Sequence, residues 1–190
     1  MSGWYAKGGK RLLDIALSGM GLLAFALPMA WIAWWIYRGS GRSPLFRQPR
    51  IGYGGKPFVI IKFRTMSDSK EVLPFCKGLR ATAMDELPQL IHILRGQMSF
   101  VGPRPLIPEE LQELRRIPGG ARRLLVRPGL AGLAQLNDIK VPSLPERLKW
   151  DFAYVEQCSL RLDLRILLRS LVVTMKGAWE REMKTPPGGS

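Results

Sequence analysis

From Ile15 to Tyr37 no residue carries a charge. As a helix, a stretch of about 23 residues rising 1.5 Å each reaches roughly 35 Å, enough to cross the hydrocarbon core of a bilayer. A cleaved leader fits poorly. The stretch is too long, and its aromatic end, Trp31-Ile32-Ala33-Trp34-Trp35-Ile36-Tyr37, lacks the small residues a cleavage site needs. Pro28 lies near the middle, where it removes a helical hydrogen bond and crowds the preceding turn. Lys7, Lys10 and Arg11 precede the stretch, and Arg38, Arg42, Arg47 and Arg50 follow it. A spanning helix usually concentrates its positive flank on one side. Two arrangements satisfy these residues: a proline-kinked span, or a segment that enters the membrane, bends and leaves by the same face. Asp14, at the entrance, reads as a partner for Arg11 one turn earlier.

The net charge of +14 calls for an anionic partner, whether nucleic acid, a phosphorylated ligand or an anionic lipid surface. His92 is the single histidine, which excludes Ser-His-Asp triads and multi-histidine metal sites. Cys76 and Cys158 stand far apart and read as reduced thiols rather than a disulfide or zinc pair. Chemistry here must rest on carboxylates, arginines or a hard metal ion.

The rest of the chain predicts an α+β domain, mostly helical. Ser43 to Gln48 and Phe58 to Phe63 read as a small β-hairpin around the turn residues Gly52 to Pro57. Helices are expected over Met84 to Leu94, over Pro108 to Arg116 with proline in its first turn, and from the Ser143/Glu146 capping box toward Cys158. Near the end, Leu164, Leu167, Leu168, Leu171 and Met175 form an apolar stripe beside Arg161, Arg165 and Arg169. That pattern suits an amphipathic helix on an anionic membrane surface, and also a core helix with a solvated basic edge.

Asp85-Glu86 opens a helix whose early turn holds Pro88. A carboxylate there can simply cap backbone N–H groups. What surrounds the pair points further. Arg80 precedes it, and Arg104 and Arg127 lie downstream in Gly102-Pro103-Arg104-Pro105 and Arg127-Pro128-Gly129. Arginine binds phosphate oxygens bidentately, and a stiff loop lowers the entropy lost in holding it. Two carboxylates suffice for Mg²⁺, which completes its shell with phosphate oxygens. Carboxylates, arginines and a membrane segment together suggest phosphoryl transfer involving a lipid.

These motifs resemble the bacterial sugar transferases, the monotopic polyprenyl-phosphate phosphoglycosyl transferases. The likeness runs from Lys10 to Lys176. It is carried by Lys10-Arg11-Leu12-Leu13-Asp14, Lys62-Phe63-Arg64-Thr65-Met66 and Asp85-Glu86-Leu87-Pro88-Gln89-Leu90. Further blocks are Met98 to Pro105, Val126 to Gly132, Asp151-Phe152-Ala153-Tyr154-Val155 and Ser159 to Asp163. The resemblance implies that Asp85 attacks the sugar-proximal phosphorus of a UDP-sugar, releasing UMP, and that polyprenyl phosphate then takes the phosphosugar. It implies Glu86 as partner of Asp85, both as Mg²⁺ ligands. It also implies phosphate-binding roles for Arg80 and Arg104, with Arg127 and Asp151 as further members of the substrate site. It favours the re-entrant segment and places the protein on the cytoplasmic face of a bacterial inner membrane, against anionic lipid.

The expected organisation is therefore a re-entrant helix-break-helix with basic flanks over 1–38, a membrane-associated catalytic domain with amphipathic interfacial helices over 39–184, and a disordered tail over 185–190. Several positions depart from the family pattern. Leu27 stands where serine often precedes the membrane proline, Ala83 replaces a common serine, His92 a common asparagine and Gln97 a common acidic residue. The competing class is a membrane-tethered basic protein binding nucleic acid or anionic lipid. It accounts for the charge and the apolar segment, but not for the Asp-Glu pair or the arginines in rigid loops, so no nucleic-acid partner is expected.

Overall fold

The computed structural model describes residues 5–69, 71–137 and 143–176. The expected tail over 185–190 lies outside them. The fold is mostly helical with two small sheets, the α+β class read from the sequence. Two helices open it, α1 (Lys10–Ala24) and α2 (Ala26–Ser40), bent by 59° about Phe25. No single helix among the described residues is long and apolar enough to cross a membrane; this bent pair passes that test only together. The bend falls three residues before Pro28, for a physical reason. Pro28 has no N–H to give the carbonyl of Ala24, so the first helix ends there and proline falls in the first turn of the second.

One face of each helix packs inward: Ile32 and Ile36 of α2 join Phe63, Cys76 and Leu79, while Leu22 of α1 meets the cluster around Leu90 and Ile93. The remaining faces are bare hydrocarbon, most of all beside the bend, where Leu23 is 83% and Leu27 84% exposed. Asp14 is not Arg11's partner. Arg11 donates to the carbonyls of Ile93 and Leu94, in the last turn of the helix that ends at Arg95. Asp14 is buried and accepts from Ser99 Oγ (3.0 Å) and the Phe100 N–H (3.1 Å). Both charged residues anchor α1 to the domain.

The hairpin pairs β1 (Leu45–Ile51) with β2 (Pro57–Phe63), antiparallel, with Gln48 opposite Ile60 and Arg50 opposite Phe58. The first strand runs three residues beyond its expected end because Pro49 sits on an edge strand, where a missing N–H breaks no ladder. After α3 (Lys77–Ala81), the helix expected over 84–94 splits. Met84–Gln89 is a tight 3₁₀ turn and only Leu90–Arg95 is α-helical (α4). Pro88 again sets the limit, since it cannot bond back to Met84.

A second sheet pairs β3 (Ser99–Val101) with β4 (Gly129–Ala131) in parallel. The helix α5 (Pro108–Arg116) matches its expected bounds. Next come α6 (Leu133–Asn137) and α7 (Leu144–Gln157), the latter opened by the capping box: the Glu146 carboxylate accepts from the Ser143 N–H at 2.8 Å. The last described helix, α8 (Leu160–Met175), buries Ile166 and Asp163 but leaves Leu164, Leu168, Leu171, Val172 and Met175 exposed. That outcome decides against a core helix. Asp163 accepts hydrogen bonds from Tyr154 and Tyr5 and pairs with Lys10, so it ties α8 to the start of α1.

Candidate active site

Cross-strand partners in an antiparallel pair project to the same side, and alternate residues along a strand share a face. One face of the hairpin therefore carries Gln48 and Arg50 from β1 with Phe58, Ile60 and Lys62 from β2. Phe58 and Ile60 seat this face on Leu90, Ile93 and Met98. The next position in that series is Lys62, which reaches past the apolar contact toward the 3₁₀ turn bearing Asp85 and Glu86.

That turn begins at Ala83, the one non-glycine residue with positive φ among the described residues (52°). A left-handed alanine is strained, and strain of this kind persists only where the surroundings hold it in place. Beyond it Asp85 is buried (7% exposed), while Glu86 lines an open cleft. Burial pushes the Asp85 carboxyl up to about 6. Glu86 adds to the shift, while Lys62 and Arg80 oppose it. Burial also pushes the Lys62 ammonium below its ordinary range, against the pull of Asp85 and Glu86. Arg80 donates to Thr65 Oγ1 at 3.3 Å, next to the strand carrying Lys62.

Opposite the dyad, the loop 102–105 crosses the loop 127–132. The approach is so close that Gly102, Gly129 and Gly132 are obligatory. A Cβ on Gly129 would lie 2.0 Å from the Gly102 nitrogen, and one on Gly102 would lie 2.3 Å from the Arg127 oxygen. Four consecutive carbonyls, those of residues 103–106, are each held. Pro103 accepts from the Gly129 N–H (2.9 Å), Arg104 from Arg123 Nη2 (2.7 Å), Pro105 from Arg50 Nη1 (3.1 Å) and Leu106 from the Ile51 N–H (2.8 Å). The Arg104 side chain projects from this pinned backbone and lines the cleft.

Three cations, Arg50, Lys62 and Arg104, thus face a single lining carboxylate, Glu86, with the amides of Gln48, Gln89 and Gln135 between them. A cleft so charged takes an anion with several oxygens, and guanidinium groups suit phosphate. The donor set also fits Mg²⁺. Among the described residues no three His, Cys, Asp or Glu side chains gather into a cage. Mg²⁺ sites in general need only one or two carboxylates besides substrate phosphates, a number that Asp85 and Glu86 would supply.

The structure thus brings together Asp85, Glu86, Arg80 and Arg104. Arg127 and Asp151 lie elsewhere. Arg127 donates to the Gly96 carbonyl (2.9 Å) and lies over the Tyr53 ring, a bond that caps the chain end of α4. Asp151, on the buried face of α7, is paired with Arg123, and both are almost wholly enclosed. Neither lines the cleft. Sequence reasoning passed over Lys62 and Arg50 as members of the site. The signal was present for Lys62, the one charged residue in an otherwise apolar strand, and weaker for Arg50, which shares its strand with Arg47 and Gln48; both are in register with inward-facing positions.

Comparison with known proteins adds a second line of support. The bacterial sugar transferase family model matches residues 5–177. The chain is 39% identical over 181 residues to the UDP-glucose:undecaprenyl-phosphate glucose-1-phosphate transferase of Caulobacter vibrioides, across 85% of this chain and 68% of that one. It is 36% identical to the Klebsiella pneumoniae protein of the same name, across 83% of this chain and 38% of that one. It is 31% identical to the undecaprenyl-phosphate galactose phosphotransferase of Salmonella typhimurium, across 88% and 40%. The chain therefore spans about two fifths of the length of the last two.

Proposed function

This chain belongs to the bacterial sugar transferase family, and we propose that it transfers a sugar 1-phosphate from a UDP-sugar to a polyprenyl phosphate. The observation that carries the reading is the cleft in which Glu86, next in the chain to the buried Asp85, faces Lys62, Arg50 and Arg104. In the first step a carboxylate oxygen of Asp85 attacks the phosphorus bonded to the sugar. The bond from that phosphorus to the UMP oxygen breaks, and UMP leaves with the electron pair. In the second step a phosphate oxygen of the lipid attacks the same phosphorus and the Asp85 carboxylate departs, leaving a polyprenyl diphosphate sugar. Splitting the transfer in two lets a water-soluble donor and a lipid acceptor use one site in turn.

Arg104, Arg50, Lys62 and Arg80 neutralise charge on the phosphoryl oxygens as it develops. Glu86 keeps a second negative charge beside Asp85. Together the two carboxylates would hold Mg²⁺, which supplies further charge neutralisation at the diphosphate. Asp85 must be ionised to attack. With burial raising its pKa to about 6, the reactive fraction falls as pH drops through that value.

The test is release of UMP from a panel of UDP-sugars with undecaprenyl phosphate and Mg²⁺, repeated across pH. The expected result is release that depends on both lipid and donor, with activity lost on the acid side near pH 6, or lower where a bound cation pulls Asp85 down. Salt-sensitive nucleic-acid binding without UMP release would replace this reading with the tethered basic protein.

The bent α1–α2 pair supports a re-entrant segment, seated with α8 on the cytoplasmic face of an inner membrane. Its outer faces are apolar, its bend is its most exposed part, and basic residues flank both ends. Cysteines placed at Ser2 and Ser43, in a chain with Cys76 and Cys158 changed to alanine, should both label from the cytoplasmic side alone. Labelling of one of them from outside would establish a span instead.

A further inference from the structure

The proposed reaction leaves a buried ion pair without a role. Arg123 and Asp151 have side chains only 2% and 3% exposed, and their nearest charged atoms lie 3.1 Å apart. Enclosing such a pair costs desolvation energy that its mutual attraction only partly offsets, so it contributes little net stability. The pair lies near a second one, Arg147 with Glu110, yet its own hydrogen bonding is incomplete, since Asp151 Oδ2 and Arg123 Nη1 make no hydrogen bond. The same Arg123 nitrogen that faces Asp151, Nη2, donates at 2.7 Å to the carbonyl of Arg104.

From this juxtaposition we propose that Asp151 and Arg123 are positioning residues for Arg104: Asp151 fixes the Arg123 guanidinium, and Arg123 fixes the backbone from which Arg104 reaches the diphosphate of the donor. The proposal rests on the phosphoryl-transfer reading of the cleft.

Three features single out this pair. First, Arg104 is the one lining cation carried by a loop rather than a strand, so its placement depends on what grips that loop. Second, Arg50 holds the next carbonyl, that of Pro105, from the opposite side. The peptide units on either side of Pro105 are thus held by two guanidinium groups, one inside the cleft and one behind it. Third, Asp151 and Arg123 come from different elements, α7 and the turn Gly120–Leu125. Their pairing therefore registers the helical layer against the substrate loop. The guanidinium can satisfy a carbonyl and a carboxylate together because its donors are splayed in a fixed plane; an ammonium on a flexible stem cannot hold both in one geometry.

A double-mutant cycle in the full chain tests this. The pair is replaced by apolar residues of similar size (Arg123→Met with Asp151→Leu), an exchange that buried ion pairs often tolerate without loss of stability. The exchange is made alone and on top of Arg104→Ala. Readouts are thermal midpoint, equilibrium binding of UDP, and kcat/KM for UMP release. The expected result is an unchanged midpoint, with UDP affinity and kcat/KM weakened about tenfold when Arg104 is present and less than about twofold when it is absent. An equal effect in both backgrounds, or no effect in either, overturns the proposal.

Arg123→Lys is run through the same cycle as the variant that keeps the charge opposite Asp151 and loses the fork. It should reproduce the coupling to Arg104 in part; full wild-type UDP affinity in Arg123→Lys also counts against the proposal. UDP binding separates the two readings. Binding that depends on Arg104 and couples to the pair supports the positioning role even if no UDP-sugar is turned over, an outcome that would refute the transfer reaction alone.

Discussion

Asp85→Asn is expected to abolish turnover, by about 10³-fold or more, while leaving the protein folded. The two halves of this expectation have separate causes. The amide has the shape of the carboxyl but no charge to donate to phosphorus, so neither step can proceed. Stability should hold or rise slightly. Burial is the largest influence on this carboxyl and acts against its ionised form, with Glu86 adding to it. Removing the charge relieves that penalty. The decisive measurement is intact mass after incubation with the UDP-sugar that the wild type turns over. The wild type should gain the mass of a phosphosugar when lipid acceptor is withheld, and Asp85→Asn should gain nothing. Near-normal turnover in Asp85→Asn would remove the nucleophile from this scheme.

Gly129→Ala should cost more than about 3 kcal/mol of stability, far beyond an ordinary single methyl. The added carbon would sit 2.0 Å from the Gly102 nitrogen and 2.6 Å from its oxygen, and backbone cannot swing aside as a side chain can. Moving the two loops apart would break the β3–β4 pairing and the bond from Gly129 to Pro103, and with them the seat of Arg104. Gly78→Ala is the control. Nothing lies within 4 Å of its added carbon, and alanine is the better helix former, by about 0.8–1 kcal/mol. Thermal unfolding of the two variants should therefore move in opposite directions. A Gly129→Ala protein that melts with the wild type would mean the loops do not cross as described.

How far the sequence revealed this arrangement depended on the range of the cause. The capping box at Ser143 and the proline-led helix at Pro108 are local, and both were legible from a few residues. The stiffness of the loop carrying Arg104 was legible because glycine and proline mark it whatever surrounds it, whereas Asp85-Glu86 stood out only through the arginines around it and the family motif it resembles. The break between α1 and α2 was attributed to Pro28, correctly in cause, but proline acts on the carbonyl four residues back, so the bend lies at Phe25. Asp14 and Arg11 looked like partners at helical spacing. Both instead bind backbone groups more than 80 residues away, Arg11 the Ile93 carbonyl and Asp14 the Phe100 N–H, and no local pattern discloses that competition. The same applies to Asp151. Its motif is visible in the chain, yet its partner, Arg123, reads in sequence as one basic residue among several. Lys62 and Arg50 required the register of the hairpin, because a shift of one residue would have turned both to the opposite face.

The tie at Asp163 has a consequence in time. Its bonds to Tyr5 and Lys10 bridge 158 and 153 residues of chain. A ribosome adding about 5–20 residues per second needs roughly 8–30 s to make the second partner after the first. Throughout that interval Tyr5 and Lys10 wait for the carboxylate that fixes them, whereas Arg11 and Asp14 can already dock on residues 93–100, so the N-terminal segment is seated in two stages, its outermost end last.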